Sequence, residues 1–138
     1  MLYWTMPVKI LIVDDDPDLR TSLAAVLNPL FTVFAASSGA EALDVLKKER
    51  PRLVLLDVSM PGLSGLEVLA AAKITDPALL VVMLTSQQDI EIAAKALNLG
   101  ASEYVTKPFD ADYIRAEVSR LTGSPDEPSN DKPWRVTP

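Results

Sequence analysis

The sequence predicts an α/β three-layer sandwich, a parallel sheet with helices on both faces, and three observations carry that prediction. Five short runs of Val, Ile and Leu alternate with five segments of helical spacing. The runs lack polar alternation, as strands covered on both faces do. Each is separated from the next by a helix-length segment, which a parallel crossover requires.

The first strand is read over residues 8–13, apolar except for Lys9, and Asp16-Pro17 follows as an N-cap with proline at the first helical position. Leu19, Leu23, Val26, Leu27 and Leu30 recur at helical spacing, with Asn28-Pro29 as the stop. Residues 31–35 read as the second strand. Ser38-Gly39-Ala40-Glu41 has the Ser-x-x-Glu form of a capping box ahead of a helix carrying Leu43 and Leu46, ended by Arg50-Pro51.

The third strand covers residues 53–56. Pro61 and Gly62 mark the loop after it, and a second box, Ser64 to Glu67, opens a helix to about Lys73. Residues 79–84 form the fourth strand, followed by a helix over about residues 89–98 that Gly100 stops at a left-handed cap. Residues 103–106 make a short fifth strand, and Asp110 caps a last helix running to about Leu121.

This divides the 138 residues into an N-terminal extension (1–7), one domain (8–122) and a C-terminal tail (123–138) with four prolines. One domain of this size implies that any output runs through a partner. Hydrophobic residues make up 49% and charged residues 23%, which suits a compact soluble domain. No apolar run approaches the roughly 18 residues of a membrane span, and residues 1–7 lack the pattern of a secretory signal. A cytoplasmic protein without membrane contact is expected.

Two absences narrow the chemistry. Without cysteine there are no disulfides, zinc ribbons or thiol nucleophiles. Without histidine the commonest general base and transition-metal ligand are missing, so reactive groups must be carboxylate, hydroxyl or amine. A net charge of −6 argues against nucleic acid, which binds through Lys and Arg.

Polar residues collect where strands end: Asp14, Asp15 and Asp16 after the first, Asp57 at the close of the third, Thr85-Ser86 after the fourth, Lys107-Pro108 after the fifth. In open parallel sheets that edge is where ligands bind. Singly, each has a plainer role: the acidic turn can cap a helix, Thr85 and Ser86 can cap the next, and Lys107-Pro108 can be a turn. Asp57 resists this reading, because it ends an apolar strand with no helix immediately after it to cap. Gathered carboxylates repel one another, and an oxygen-seeking divalent cation, Mg²⁺ or Mn²⁺, relieves that repulsion.

Four blocks then carry a resemblance: Ile10-Leu11-Ile12-Val13-Asp14-Asp15, Leu55-Leu56-Asp57-Val58-Ser59-Met60-Pro61-Gly62, Thr85-Ser86, and Gly100 to Phe109 with its Lys107-Pro108. In this order and spacing they resemble the receiver domain of bacterial two-component response regulators, over about residues 8–121. The resemblance implies a flavodoxin-like (βα)5 fold with strand order 2-1-3-4-5, an order that the chemotaxis example of this family illustrates.

It also implies roles. Asp57 is the phosphoryl acceptor, forming an aspartyl phosphate with Mg²⁺ held by Asp15, Asp57 and the backbone carbonyl of Ser59, and by Asp14 through water. Lys107 and Thr85 bind the phosphoryl oxygens, the Lys107-Pro108 peptide is cis, and Thr85 with Tyr104 forms the switch. The phosphodonor is a histidine kinase or histidine phosphotransfer protein, the output is an unidentified protein partner, and there is no turnover enzyme activity. Ser59 and Gln87 occupy positions that tune phosphoryl lifetime. Glu117 stands where relatives that dimerise through the last helix carry Arg, which favours a monomer or weak dimer.

Two rivals remain at this level. Asp14-Asp15-Asp16 also satisfies the Asp-x-Asp of haloacid-dehalogenase-like phosphohydrolases with Thr85 as a second motif, although Asp57 then has no role and Lys107 precedes no acidic pair on a further strand. The other is a receiver fold used as a docking module without phosphorylation, against which the intact acidic set stands.

Overall fold

The computed structural model describes residues 7–124, so the expected extension and tail lie outside the described residues except at their inner ends. Strands and helices alternate: β1 (Lys9–Val13), α1 (Pro17–Leu27), β2 (Thr32–Ala36), α2 (Gly39–Glu49), β3 (Leu53–Asp57), α3 (Gly65–Thr75), β4 (Leu80–Thr85), α4 (Ile90–Asn98), β5 (Glu103–Thr106) and α5 (Ala111–Thr122). The five strands form one parallel sheet in the order β2-β1-β3-β4-β5, the flavodoxin-like order.

Strand residues alternate between two cores. Leu11, Val13, Val54, Leu56, Val81 and Met83 meet Ala42 of α2, Val68 and Leu69 of α3, and Ala96 of α4. Ile10, Ile12, Leu53, Leu55, Val82 and Leu84 meet Leu23 and Leu27 of α1, and Ile114 and Val118 of α5. Covered on both sides, the central strand β3 is buried throughout, whereas β2 and β5 at the edges are only partly covered. Each Leu or Ile buried this way contributes about 1.5–3 kcal/mol, so the continuous apolar runs are the principal source of stability.

Helix ends follow the expected chemistry with two corrections. The Ser64–Glu67 box closes in both directions, but at Ser38 only half of it forms. The Glu41 carboxylate instead accepts from the backbone N–H of Ser37 at 2.7 Å and from its hydroxyl at 3.1 Å, which ties the end of β2 to α2. Asp89 lies in a 3-10 turn (Gln87–Asp89) ahead of α4 rather than in the α-helix itself. After α4, Gly100 at φ +110° lets its own N–H reach Leu97 and that of Ala101 reach Ala96, a Schellman closure that β5 follows directly.

Candidate functional site: an acidic pocket at the strand ends

Because all strands are parallel, their carboxyl ends share one edge, and β1 and β3 adjoin where the strand order reverses. Val13 pairs with Leu56, so the next residues along the two strands are Asp14 and Asp57. Both are buried, at 0% and 5% exposure, while Asp15 is exposed. Carboxylate oxygens of Asp14, Asp15 and Asp57 lie within 4.8 Å of one another.

Lys107, one residue past β5, reaches across β4 and β3 to this cluster. Its ammonium donates to Asp14 Oδ2 at 2.9 Å and stands 3.6 Å from Asp57 Oδ1. The Lys107 N–H donates to the Thr85 carbonyl at 2.6 Å, and the Lys107–Pro108 peptide is cis. The other Asp14 oxygen takes the Asp16 N–H at 2.9 Å, and Asp57 Oδ1 takes the Ser59 N–H at 3.2 Å. The Thr85 hydroxyl, fully buried, donates to the Ser86 carbonyl at 3.0 Å. Tyr104 is half-buried against the α2–α3–α4 core, opposite Met83 in the ladder.

The electrostatics reflect this crowding. Burial and the neighbouring Asp14 charge push the Asp57 carboxyl up from 3.8 to about 6, against the opposing pull of Lys107 and the Ser59 N–H. Burial draws the Lys107 ammonium down, but its bond to Asp14 and the charges of Asp57 and Asp14 outweigh it, leaving the group above the ordinary lysine value. Three carboxylates against one ammonium leave the pocket short of positive charge. Every donor is a hard oxygen, a set that suits Mg²⁺ and not a thiophilic metal.

The loop after Asp57 is held close. Gly65 at the start of α3 donates its N–H to the Val58 carbonyl at 3.0 Å, and a Cβ at Gly65 would collide with the Asp57 carbonyl oxygen and come within 2.8 Å of the Val58 Cα. Only glycine allows that approach. A groove of about 500 Å³ between α2 and α3, lined by Leu43, Leu46, Ala71 and Leu79, lies at the opposite edge, where strands begin, and has no part in this site.

Of the residues expected from sequence, Asp14, Asp15, Asp57 and Lys107 come together directly; Ser59 contributes its N–H to Asp57. Thr85 and Tyr104 lie on β4 and β5, the Thr85 hydroxyl engaged by the Ser86 carbonyl and Tyr104 packed against the hydrophobic core. Arg20 was not anticipated: its Nη1 donates to the Asp14 carbonyl at 2.7 Å. A signal was present, since a cation at the fourth position of a helix opposes the helix dipole.

A parallel sheet in this order with buried acids at its reversal point defines the flavodoxin-like α/β class, with an acidic pocket at the edge where such sheets bind ligands. The response regulator receiver domain family matches residues 10–119, and the chain belongs to that family. It is 40% identical over 116 residues to sporulation initiation phosphotransferase F of Bacillus subtilis, covering 83% of this chain and 94% of that protein. It is also 40% identical over 125 residues to response regulator MprA of a Mycobacterium species, covering 88% of this chain but 54% of the relative. The receiver domain of NtrX from Brucella abortus superposes with a TM-score of 0.78 at 34% identity, over 84% of this chain and 99% of that one. Receiver domains are signalling proteins of two-component systems, phosphorylated by histidine kinases or phosphotransfer proteins, and not turnover enzymes. Among the described residues no helix is long and apolar enough to cross a membrane.

Proposed function

We propose that this chain is a cytoplasmic response-regulator receiver that accepts a phosphoryl group on Asp57 and signals through phosphorylation-dependent protein contacts. The observation that carries the reading is Asp57 itself: a buried carboxylate within 4.8 Å of Asp14 and Asp15 oxygens and 3.6 Å of the Lys107 ammonium. A carboxylate oxygen of Asp57 attacks phosphorus, an O–P bond forms, and the donor's P–N bond to histidine breaks, with the electron pair leaving on the imidazole nitrogen. Asp15, Asp57 and the Ser59 carbonyl, with Asp14 through water, would hold Mg²⁺ or, alternatively, Mn²⁺, which when bound would neutralise charge at the phosphoryl oxygens.

Lys107 is the fixed cation on the same oxygens, and Thr85 a hydroxyl donor to them. The domain extends over residues 8–122, with residues 123–138 as an accessory tail. The expected state is a monomer or weak dimer, because Glu117 stands where relatives that dimerise through the last helix carry Arg. The net charge of −6 favours a protein partner over nucleic acid.

The test is incubation with labelled acetyl phosphate, with and without Mg²⁺. Stoichiometric, Mg²⁺-dependent labelling that Asp57→Asn abolishes is expected. Steady turnover of p-nitrophenyl phosphate would instead assign a phosphohydrolase, and absence of both labelling and beryllofluoride binding a docking module.

A further inference from the structure

We propose that Arg20 is a positioning residue for the divalent-cation site, holding the β1–α1 turn so that Asp15 faces Asp57. The inference rests on the proposed reading of that site and concerns a residue outside its ligands. Asp14 lies one residue past the last β1–β3 pair, Val13 with Leu56, and its N–H still donates to the Ala36 carbonyl of β2 at 3.2 Å, so the chain leaves the ladder at the peptide that follows. Its carbonyl receives the Arg20 guanidinium at 2.7 Å, a short charge-assisted bond from the first turn of α1. That carbonyl belongs to the peptide joining Asp14 to Asp15. A peptide unit is planar, so holding its oxygen fixes the direction in which the chain proceeds to Asp15.

The remaining bonds of the turn restrain its neighbours. Lys107 and the Asp16 N–H hold the Asp14 carboxylate, and the Asp16 carboxylate caps α1 through the Asp18 and Leu19 N–H groups. Asp15 is exposed, and among the described residues no hydrogen bond or ion pair engages its side chain. Its orientation therefore depends on the backbone that Arg20 grips. The charge of Arg20 acts in the opposite sense, because a guanidinium held on the Asp14 carbonyl repels a cation arriving beside that turn. Positioning and repulsion thus predict changes of opposite sign when Arg20 is neutralised.

The experiment is calorimetric titration of Mg²⁺ into the full chain and into Arg20→Gln and Arg20→Lys, with amide spectra of the metal-free proteins. Arg20→Gln should bind Mg²⁺ about tenfold more weakly, the scale of losses when a residue supporting a metal ligand is removed. Arg20→Lys should fall between the two, and the Asp15 and Asp16 amides should shift without metal. Unchanged or tighter binding by Arg20→Gln overturns the proposal. If Arg20→Gln does not fold, wild-type affinity in Arg20→Lys overturns it, since that variant keeps the charge and alters the grip. If the wild-type chain lacks Mg²⁺ binding that Asp57→Asn removes, the reading of the site fails first, and the role of Arg20 with it.

Discussion

Lys107 Nζ stands 2.9 Å from Asp14 Oδ2, although 93 residues separate the two along the chain. Asp14 is wholly buried, so this ammonium is its compensating charge, and it also faces Asp57. Removing one partner of a buried pair leaves the other uncompensated. Lys107→Ala is expected to lower metal-free stability at pH 7 by about 3 kcal/mol, read by urea denaturation. A loss within error of zero would show that solvent, not Lys107, balances Asp14.

Asp57→Asn should remove phosphoryl labelling and, at the same time, stabilise the metal-free protein. The Asp57 carboxyl titrates at about 6 in the folded chain against 3.8 as its ordinary value. Between those values the folded state binds more protons than the unfolded state, so stability falls as pH rises through that window and stays lower above it. Asparagine carries no such cost, and a gain on the order of 1–3 kcal/mol at pH 7 is expected. Denaturation of wild type and variant at pH 4 and pH 7 checks it: the difference should grow with pH, and a constant difference would reject the account.

On the far edge of the sheet, Arg120 Nη2 reaches Glu103 of β5 at 2.7 Å and Glu117 of α5 at 2.6 Å. Burial and the adjacent Glu117 carboxylate push Glu103 up to about 7, while the bond from Arg120 keeps Glu117 below its ordinary value. Since the folded-state value of Glu103 is raised, its contribution to stability is fully present below the ordinary 4.5 and declines as pH rises toward 7. Carboxyl-carbon chemical shifts should give Glu103 a midpoint well above that of an exposed glutamate, and Arg120→Gln should raise it further. A midpoint unchanged by Arg120→Gln would mean that the arginine does not set it.

Phosphorylation should be felt at Tyr104 through Thr85. In the strand alternation Met83, Thr85 and Tyr104 share the sheet face that carries α4, and the Thr85 hydroxyl is committed to the Ser86 carbonyl. A phosphoryl group on Asp57 offers a stronger acceptor, and movement of Thr85 toward it vacates space into which Tyr104 can turn. With beryllofluoride and Mg²⁺, amide shifts are expected to extend from Asp57 to Tyr104 and α4. Thr85→Ala should confine them to the metal site; distal shifts that survive this substitution would place the signal elsewhere.

Much of this architecture was legible because burial writes itself into local periodicity. A strand covered on both faces needs Leu53-Val54-Leu55-Leu56, a helix start needs Ser64 with Glu67, and a carboxylate such as Asp57 at the end of such a strand is conspicuous without any partner in view. The strand order came from resemblance, since periodicity says nothing about which strands adjoin. Tertiary structure alone decided which charges meet: Lys107 with Asp14, Arg20 with the Asp14 carbonyl, Glu41 with Ser37 in place of Ser38, and Arg120 with both Glu103 and Glu117. The physical reason is range. Apolar burial is imposed residue by residue along each element, whereas a hydrogen bond needs two atoms within about 3 Å, and that distance is set only when sheet register and helix packing bring remote segments together.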